Sequence, residues 1–377
     1  MPEPDDFGLS PFATLAHVGD TTPAPMHQPF WNRWREAVVA CSPRLGPAEP
    51  ADPSDPTATH RFESLRSVRI GCALELPPKG TPLRAGLVTT HGYEVVSTLA
   101  DEARRWRGLA AHGVAVLVVR VRGYPGSQLD TGDWTAEPQS PTGWIARGFP
   151  ATLHRPEDGL TWSLPQAAAD VACAARALCG WLTSRIDGRV PLFLHGESFG
   201  AGLALIAAAQ TPPEYAAFDR AALALPTFGD WPWRLADPRR MAFGSGSHLR
   251  ALLRSLAPAD AEALHTLRLC DAVVHATRVL CPVLCKLALR DEVVPAPAAA
   301  AVFNALGADP GLKWRFVVPD GHAEPSIAGA RRHALFGRAA EDFLDPALAP
   351  AEAMAPWEAL LATGERPPET TRAASAP

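Results

Sequence analysis

From residue 68 onward, short apolar runs alternate with longer stretches rich in alanine and leucine, and this alternation restricts the possible fold most strongly. The run VAVLVVR at 114–120 is continuous and β-branched, which is typical of a strand buried on both faces. Further strands are predicted at 68–76, 85–90, 190–196, 221–227, 281–289 and 312–318, with helices at 96–113, 166–185, 199–210, 296–306 and 327–344. Such alternation predicts an α/β fold, a mostly parallel sheet covered by helices on both faces.

The pattern divides the chain into a main domain and two flanking regions. Residues 61–346 are predicted to form the α/β domain, and residues 1–60 an N-terminal helical segment. In that segment Phe30, Trp34 and Val38 form an apolar helical stripe suited to packing on the main domain. Residues 347–377 end in a polar, proline-rich stretch and are predicted to be disordered.

Two excursions interrupt the alternation, at about 123–163 and 228–279. Both follow the carboxyl ends of strands, where open α/β sheets bind ligands, so we expect them to shape a pocket or an interface. They contain five tryptophans that either line a sugar or acyl pocket or anchor the long loops: Trp134, Trp144, Trp162, Trp231 and Trp233.

Composition excludes several functional classes. The formal net charge is −5, so no basic field invites nucleic acid or an anionic membrane. No apolar run reaches the roughly 18 residues of a membrane span, and the start MPEPDDFGLS lacks the features of a signal peptide. Seven scattered cysteines indicate reduced thiols and a cytoplasmic protein. No zinc spacing, P-loop or dinucleotide loop occurs, so neither a metal nor a cofactor is expected.

The motif Gly196-Glu197-Ser198-Phe199-Gly200 fits G-x-S-x-G. It follows the predicted strand VPLFLH and opens a predicted helix, which is the context of a nucleophile elbow. A sharp strand-to-helix turn would expose the serine hydroxyl and require small residues at Gly196 and Gly200. The alternative is an ordinary glycine-serine turn.

A nucleophilic serine needs a histidine base and an acid, and in this arrangement the order along the chain is serine, acid, histidine. Asp291 lies in the loop after strand 281–289, and His322 in the loop after strand 312–318. We predict that His322 accepts the proton of Ser198 and that Asp291 holds the imidazole. Asp291 could instead cap the helix at 296–306 and His322 could be a solvated surface residue; Glu292 and Asp320 are rival acids.

Two backbone N–H groups are candidates for an oxyanion hole. Phe199 follows the serine at a predicted helix N-terminus, where the helix dipole favours negative charge. Tyr93 follows His91-Gly92 in the loop after the strand AGLVTT, although the same residues also fit an ordinary glycine turn.

Several segments, in order, resemble the acetyl xylan esterase and cephalosporin-C deacetylase group of α/β-hydrolases. They include LAHVGDTTPAPMHQPFWNRWREAV, THGYEV, VVRVRGYPGS, GWIARGF, HGESFG, CPVLCKLALRDEVVP and PDGHAEP, from about residue 12 to 345. The resemblance implies an α/β-hydrolase fold, hydrolysis of acetyl esters on small sugars or similar alcohols, and no cofactor. It also implies a cytoplasmic homo-oligomer, often a hexamer, with GWIARGF similar to the family's subunit-interface loop.

The resemblance supports Ser198, Asp291 and His322 as the triad and Tyr93 and Phe199 as backbone donors. The chain departs from the family at three motifs, which marks a divergent member. Tyr124 replaces glutamine in R-G-Q, Phe199 replaces glutamine in G-x-S-Q-G, and Ala323 separates His322 from Glu324 where the family has H-E. We expect Phe199 to make the surface near the pocket more apolar.

The sequence therefore predicts a serine carboxylic-ester hydrolase that deacetylates small esters through an acyl-enzyme. A peptidase or thioesterase on the same scaffold is an alternative, because a triad serves acyl transfer in general. The three altered motifs leave a third alternative, a non-catalytic binding protein.

Overall fold

A computed structural model describes residues 6–48, 55–133, 143–256, 260–323 and 327–363. Within these ranges nine strands form one sheet, in the order β1-β2-β3-β5-β4-β6-β7-β8-β9. They are β1 (Gly46–Pro47), β2 (His60–Glu63), β3 (Arg69–Glu75), β4 (Ala85–Thr90), β5 (Val114–Val119), β6 (Leu192–Glu197), β7 (Arg220–Ala224), β8 (Val283–Ala288) and β9 (Lys313–Val318).

The strands from β4 to β9 pair in parallel, while β1, β2 and β3 add an antiparallel edge. Every residue of β4, β5 and β8 is buried, as continuous apolar runs predict for strands covered on both faces. The predicted mostly parallel sheet is confirmed; β1 and β2 were not predicted, because such short strands carry no clear period.

Fourteen α-helices occur in the described ranges. They are α1 (Pro11–Leu15), α2 (His27–Val39), α3 (Leu99–Arg104), α4 (Arg107–Ala111), α5 (Ser163–Thr183), α6 (Phe199–Gln210), α7 (Trp231–Leu235), α8 (Gly244–Ser255), α9 (Asp260–Arg268), α10 (Ala272–Ala276), α11 (Ala296–Ala305), α12 (Ile327–Phe343), α13 (Pro350–Met354) and α14 (Glu358–Thr363). The helix predicted at 96–113 is divided between α3 and α4, with Arg105 capping the first.

Two apolar cores cover the two faces of the sheet. The first joins the sheet to α2, α5, α6, α10 and α11. The second joins it to α3, α4, α12, α13 and α14. We refer to these as the first face and the second face.

The N-terminal segment packs on the first face. Phe30, Trp34 and Val38 are fully buried. The indole of Trp34 donates to the carbonyl of Pro165 at 2.8 Å, and the indole of Trp31 to that of Leu269 at 2.8 Å. The stripe of α2 is thereby fixed to the main domain by both packing and hydrogen bonds.

The C-terminal region differs from the predicted disordered tail at 347–377. Residues 350–363 form α13 and α14 with a short 3₁₀ turn between them, and Met354, Trp357 and Leu360 are buried on the second face. The prediction is wrong for these residues, because spaced apolar side chains pack against the sheet despite the surrounding prolines and alanines. Residues 364–377 lie outside the described ranges.

None of the helices in the described residues combines the length and apolar character needed to cross a membrane. All seven cysteines are free thiols.

Candidate active site

Ser198 occupies a strained turn between β6 and α6. Its backbone has φ 53° and ψ −115°, a region that costs a non-glycine residue about 1–3 kcal/mol. A Cβ on Gly196 would lie 2.3 Å from the carbonyl oxygen of Gly200, and a Cβ on Gly200 would lie 2.6 Å from that of His91. Both glycines are therefore required by the close approach of backbone, as the motif predicts, and the turn is not an ordinary loop.

His322 and Asp291 form a hydrogen-bonded pair. The Nδ1 atom of His322 lies 2.8 Å from Oδ2 of Asp291, whose side chain is almost fully buried. Burial opposes the charged imidazole, but Asp291 outweighs it and raises the pKa of His322 above its ordinary value. The other carboxylate oxygen of Asp291 accepts from the N–H groups of Val293 and Val294, which fixes the carboxylate.

The alternative roles of these residues can be compared with the geometry. Asp291 does not cap α11, whose N-cap is Pro295. The rival acid Asp320 faces Arg332, with 3.4 Å between Oδ2 and Nη1. Glu292 is 5% exposed, and its Oε2 has no hydrogen-bond partner in the described part of the chain. Burial raises the pKa of its carboxyl. The acid in contact with His322 is therefore Asp291.

The two predicted backbone donors come from separate elements, the start of α6 and the loop after β4. Phe199 is the first residue of α6, so its N–H belongs to the unpaired first turn of a helix. The loop before Tyr93 is fixed by His91, whose Nε2 accepts from the Val121 N–H at 3.2 Å and whose Nδ1–H donates to the Gly92 carbonyl at 2.8 Å. Burial lowers the pKa of His91 to about 3, which keeps this ring neutral.

This arrangement orients the Tyr93 amide. The peptide bond is planar and trans, so the N–H of Tyr93 points opposite to the Gly92 carbonyl and away from the His91 ring. The Tyr93 hydroxyl is also held, accepting from the N–H of Ile145 at 3.2 Å and lying 3.0 Å from Nδ1 of His248.

A cavity of about 730 Å³ opens beside the serine. Ser198, His322, Gly92 and Tyr93 all line it, so the structure brings these predicted residues to one site. The cavity continues from the carboxyl edge of the sheet along the second face, between α3 and α12. Its volume is in the range of sites that hold drug-sized ligands, well beyond the size of an acetyl group.

Sequence reasoning missed a group of ionisable residues that line the cavity along the second face. They are His195, Glu197, Lys286, His333, Glu102, Arg105 and Glu341. The sequence contains one signal for it, the lysine inside the otherwise apolar strand CPVLCKLAL. Among the described residues no group of three or more histidine, cysteine or carboxylate side chains could hold a metal ion.

The family departures at Tyr124 and Phe199 are connected. Both side chains are buried, and their rings lie 5.9 Å apart in a cluster that includes His91, Tyr93, Trp144 and Phe228. Phe199 does not line the cavity, so the expectation that it makes the pocket surface more apolar is wrong. Its ring points into the protein because it packs there against neighbouring aromatic rings.

The excursions contribute unequally to the cavity. The second supplies Phe243 and Gly244, while no described residue of the first lines it. Among the tryptophans, three are fully buried loop anchors: Trp144, Trp162 and Trp231. Trp233 stacks on Arg240, with 3.8 Å from the guanidinium carbon to the ring centre. Trp134 and Glu324 lie outside the described residues.

A strained serine at the carboxyl edge of a mostly parallel sheet, with a carboxylate-bonded histidine lining the same cavity, is the arrangement of an α/β-hydrolase. The family model for acetyl xylan esterases matches residues 27–324. The chain belongs to the acetyl xylan esterase family and is a carboxylic ester hydrolase. The resemblance expected from its motifs is confirmed.

Solved structures share the fold. The acetyl xylan esterase 1 of Thermoanaerobacterium sp. JW/SL YS485 is 22% identical over 88% of this chain and 98% of its own, with a TM-score of 0.66. That of Paenibacillus sp. R4 is 19% identical over 88% and 99%, with a TM-score of 0.65. The acylaminoacyl peptidase of Pyrococcus horikoshii is 16% identical over 80% and 41%, with a TM-score of 0.51. A search of curated proteins finds none that matches.

Proposed function

We propose that this chain is a serine esterase that deacetylates small acetylated sugars or related acetyl esters through an acyl-enzyme. The observation that carries the proposal is the shared cavity, which is lined both by Ser198 on its strained turn and by His322, the hydrogen-bond partner of Asp291. The name of the family supplies the acetyl ester as the first substrate class to test.

In the first half-reaction, the Ser198 hydroxyl attacks the ester carbonyl while His322 takes its proton. Asp291 keeps the imidazole in the tautomer that exposes Nε2 and stabilises the imidazolium that forms. The oxyanion accepts hydrogen bonds from the N–H groups of Tyr93 and Phe199. Its collapse breaks the bond to the alcohol oxygen, which receives the proton from His322 and leaves.

In the second half-reaction, water attacks the acetyl-serine. His322 takes a proton from this water, and the same two N–H groups hold the second oxyanion. Collapse then releases acetic acid, and His322 returns its proton to the Ser198 oxygen, so the enzyme is regenerated without any cofactor.

The proposal is tested by turnover of an acetyl ester and by labelling. We expect the purified protein to release p-nitrophenol from its acetyl ester and to react with a fluorophosphonate. Ser198→Ala should lose both, with a fall in kcat of at least about 10⁴-fold. Ser127→Ala is a suitable control, because Ser127 is a buried serine that does not line the cavity. Equal turnover by wild type and Ser198→Ala would refute the assignment.

A substrate panel separates the alternatives. Acetyl esters, longer acyl esters, thioesters and aminoacyl amides of comparable leaving groups are compared by kcat/KM. Turnover of aminoacyl amides alone would favour a peptidase, and that of thioesters alone a thioesterase. A folded protein whose Ser198 resists the fluorophosphonate would favour a binding protein.

The homo-oligomer and the cytoplasmic location stay predictions of the family resemblance. Sedimentation velocity of the full chain tests the first, with a hexamer as the expected species. Fractionation of expressing cells tests the second.

A further inference from the structure

The loop that carries the Tyr93 amide has a single buried side chain. Within the described stretch 92–98 the chain forms neither helix nor strand, and only the Tyr93 side chain is buried. A Cβ added to Gly92 would meet nothing within 4 Å, so close packing does not hold the backbone before Tyr93. The orientation of the Tyr93 N–H therefore depends on the hydrogen bond from His91 to the Gly92 carbonyl and on the Tyr93 side chain.

The hydroxyl of Tyr93 lies between the two excursions. The N–H of Ile145, in the first excursion, donates to this oxygen at 3.2 Å. Nδ1 of His248, on α8 in the second excursion, lies 3.0 Å from the same oxygen. Because the oxygen accepts from Ile145, its own proton is left for Nδ1 of His248, and the imidazole then carries its proton on Nε2.

Both groups have charge states that suit this bond. Burial raises the pKa of the Tyr93 hydroxyl to about 12, so the hydroxyl remains a donor. Burial also lowers the pKa of His248 below its ordinary value, which favours the neutral ring that can accept. Near neutral pH the phenol therefore donates and the imidazole accepts.

The surrounding backbone leaves room for this bond and fixes one end of it. Gly143 has φ 70°, and a Cβ there would collide with Nδ1 of His248 and lie 2.7 Å from the Tyr93 hydroxyl oxygen. A side chain at this position would therefore push the two groups apart. The peptide of Ile145 is itself held, because the indole of Trp162 donates to the Ile145 carbonyl at 2.6 Å.

The Tyr93 ring also connects the two expected donors of the oxyanion hole. The rings of Tyr93 and Phe199 lie 5.3 Å apart, edge to face. Neither Ile145 nor His248 lines the cavity, so neither is placed to contact an ester bound in it. We therefore expect His248 to influence the reaction through Tyr93.

We propose that His248 is a positioning residue for the oxyanion hole. Through the Tyr93 hydroxyl, His248 and the Ile145 N–H hold the loop so that the Tyr93 N–H stays directed at the ester oxygen that becomes negative. The inference rests on the proposed function, because it assumes that this N–H is an oxyanion donor. It gives the two excursions a common role, which is to brace one amide beside Ser198.

The first test removes each half of the bond and keeps an aromatic ring. Tyr93→Phe and His248→Phe should each lower kcat for p-nitrophenyl acetate about 10-fold, with KM within about twofold, because a displaced donor loses part of the roughly 10²–10³-fold that complete removal costs. The double variant should be no slower than the slower single variant, since both changes break one bond. His248→Asn, whose Oδ1 can replace Nδ1 as the acceptor, should retain most of the wild-type kcat.

Two remote variants are matched controls. Tyr215→Phe removes a hydroxyl that donates to the Cys41 carbonyl at 3.1 Å, and His60→Phe replaces a half-buried ring on β2. Neither residue lines the cavity, so both variants should keep the wild-type kcat. Unchanged kcat in Tyr93→Phe and His248→Phe, or effects that multiply in the double variant, would overturn the proposal.

A second substrate distinguishes a displaced oxyanion donor from a general disturbance. In the thionoester of the same acid and alcohol, sulfur replaces the carbonyl oxygen and accepts hydrogen bonds more weakly, so wild type should prefer the oxygen ester. Tyr93→Phe and His248→Phe should narrow this preference several-fold, and the two controls should leave it unchanged. A wild-type preference alongside a lowered kcat would show a merely structural effect and overturn the proposal.

Hydrogen–deuterium exchange separates this inference from the proposed function. The amides of residues 91–97 should exchange faster in His248→Phe than in wild type or His60→Phe, whether or not the protein turns over an ester. Failure of the fluorophosphonate to label Ser198 would overturn the proposed function, while the exchange rates would still test the bond. If His248→Phe does not fold, Tyr93→Phe takes its place, and exchange as slow as in wild type would then overturn the proposal.

Discussion

The first and second faces of the sheet are built differently. The first face is closed by α2, α5 and α6, and α5 alone buries sixteen of its twenty-one residues. The second face contains the cavity, with Glu197, Lys286 and His195 on its floor. Ser198 lies at the point where the two faces meet. The densely packed first face supports the strained turn, and the second face leaves room for the cavity.

The contrast shows how the turn is supported. On the packed side, a Cβ on Gly202 would lie 2.5 Å from the ring of Phe228, so α6 approaches its neighbours as closely as backbone allows. Such dense packing transmits any change in side-chain volume to the serine. The cavity side can tolerate substitution, because its side chains border empty space.

The largest expected effect is a loss of stability at the buried pair of Arg122 and Asp170, on the first face. The Arg122 guanidinium donates to Asp170 at 2.6 Å and to Gln166 at 2.7 Å. Asp170→Ala leaves the cation unpaired and should lower the free energy of unfolding by about 3–5 kcal/mol. Urea denaturation measures this. The matched double variant Arg122→Met with Asp170→Leu should recover most of the loss; no recovery would show that packing, not charge, is decisive.

The next effect is at the turn itself. Gly200→Ala places a methyl against the His91 carbonyl and should cost about 1–3 kcal/mol in unfolding free energy. It also displaces the Phe199 N–H, so kcat should fall about 10²-fold or more. The control is Gly180→Ala in α5, whose added Cβ meets nothing within 4 Å. That change should stabilise the protein by about 0.5–1 kcal/mol. Equal behaviour of the two variants would contradict the role assigned to packing at the turn.

A smaller effect concerns acid stability. Burial lowers the pKa of His27 on the packed side and of His333 beside the cavity to about 4, against an ordinary value of 6.5. Their neutral forms therefore stabilise the fold above pH 6.5, and this contribution is lost as the pH falls toward 4. Between pH 6.5 and pH 4, the Tm measured by thermal denaturation should fall less for His27→Asn and for His333→Asn than for wild type. If the Tm of His333→Asn falls as much as that of wild type, the His333 ring is already solvated by water in the cavity.

The smallest effect concerns substrate charge. Five glutamates line the cavity against one arginine and one lysine. An ester of succinate should therefore be hydrolysed several-fold more slowly than the butyrate ester of the same alcohol, and salt should narrow the difference. Glu94→Gln should also reduce the difference in rate between the two esters. A preference for the anionic ester would indicate that Lys286 and Arg105 dominate the field in the cavity.

The sequence predicted the parallel core and the contact between Asp291 and His322, for identifiable reasons. Strands such as VAVLVVR are buried on both faces, so their composition alone identifies them. Gly196 and Gly200 flank Ser198 because backbone geometry requires them, and Asp291 and His322 follow strand ends in a fixed order.

Features that depend on pairing between distant segments were not predictable in this way. For example, Glu197 on β6 pairs with Ala224 on β7, which pairs with Lys286 on β8, and this proximity follows only from the strand order and register. The inward orientation of the Phe199 ring depends on Tyr124, far away in the chain. A glutamine-to-phenylalanine change viewed alone suggests an apolar pocket wall, whereas the two aromatic replacements together form one packed unit.

The helical C-terminal region has a consequence for self-association. Strand β9 is the last strand of the sheet, and α14 packs against it. An uncovered edge offers a free row of amide and carbonyl groups to other chains. Shortening the polypeptide before α13 would remove the helix that packs on β9 and take Met354, Trp357 and Leu360 out of the second core. We expect residues 350–363 to hinder intermolecular strand pairing at β9, and truncated forms to precipitate even if their hydrolytic centre is intact.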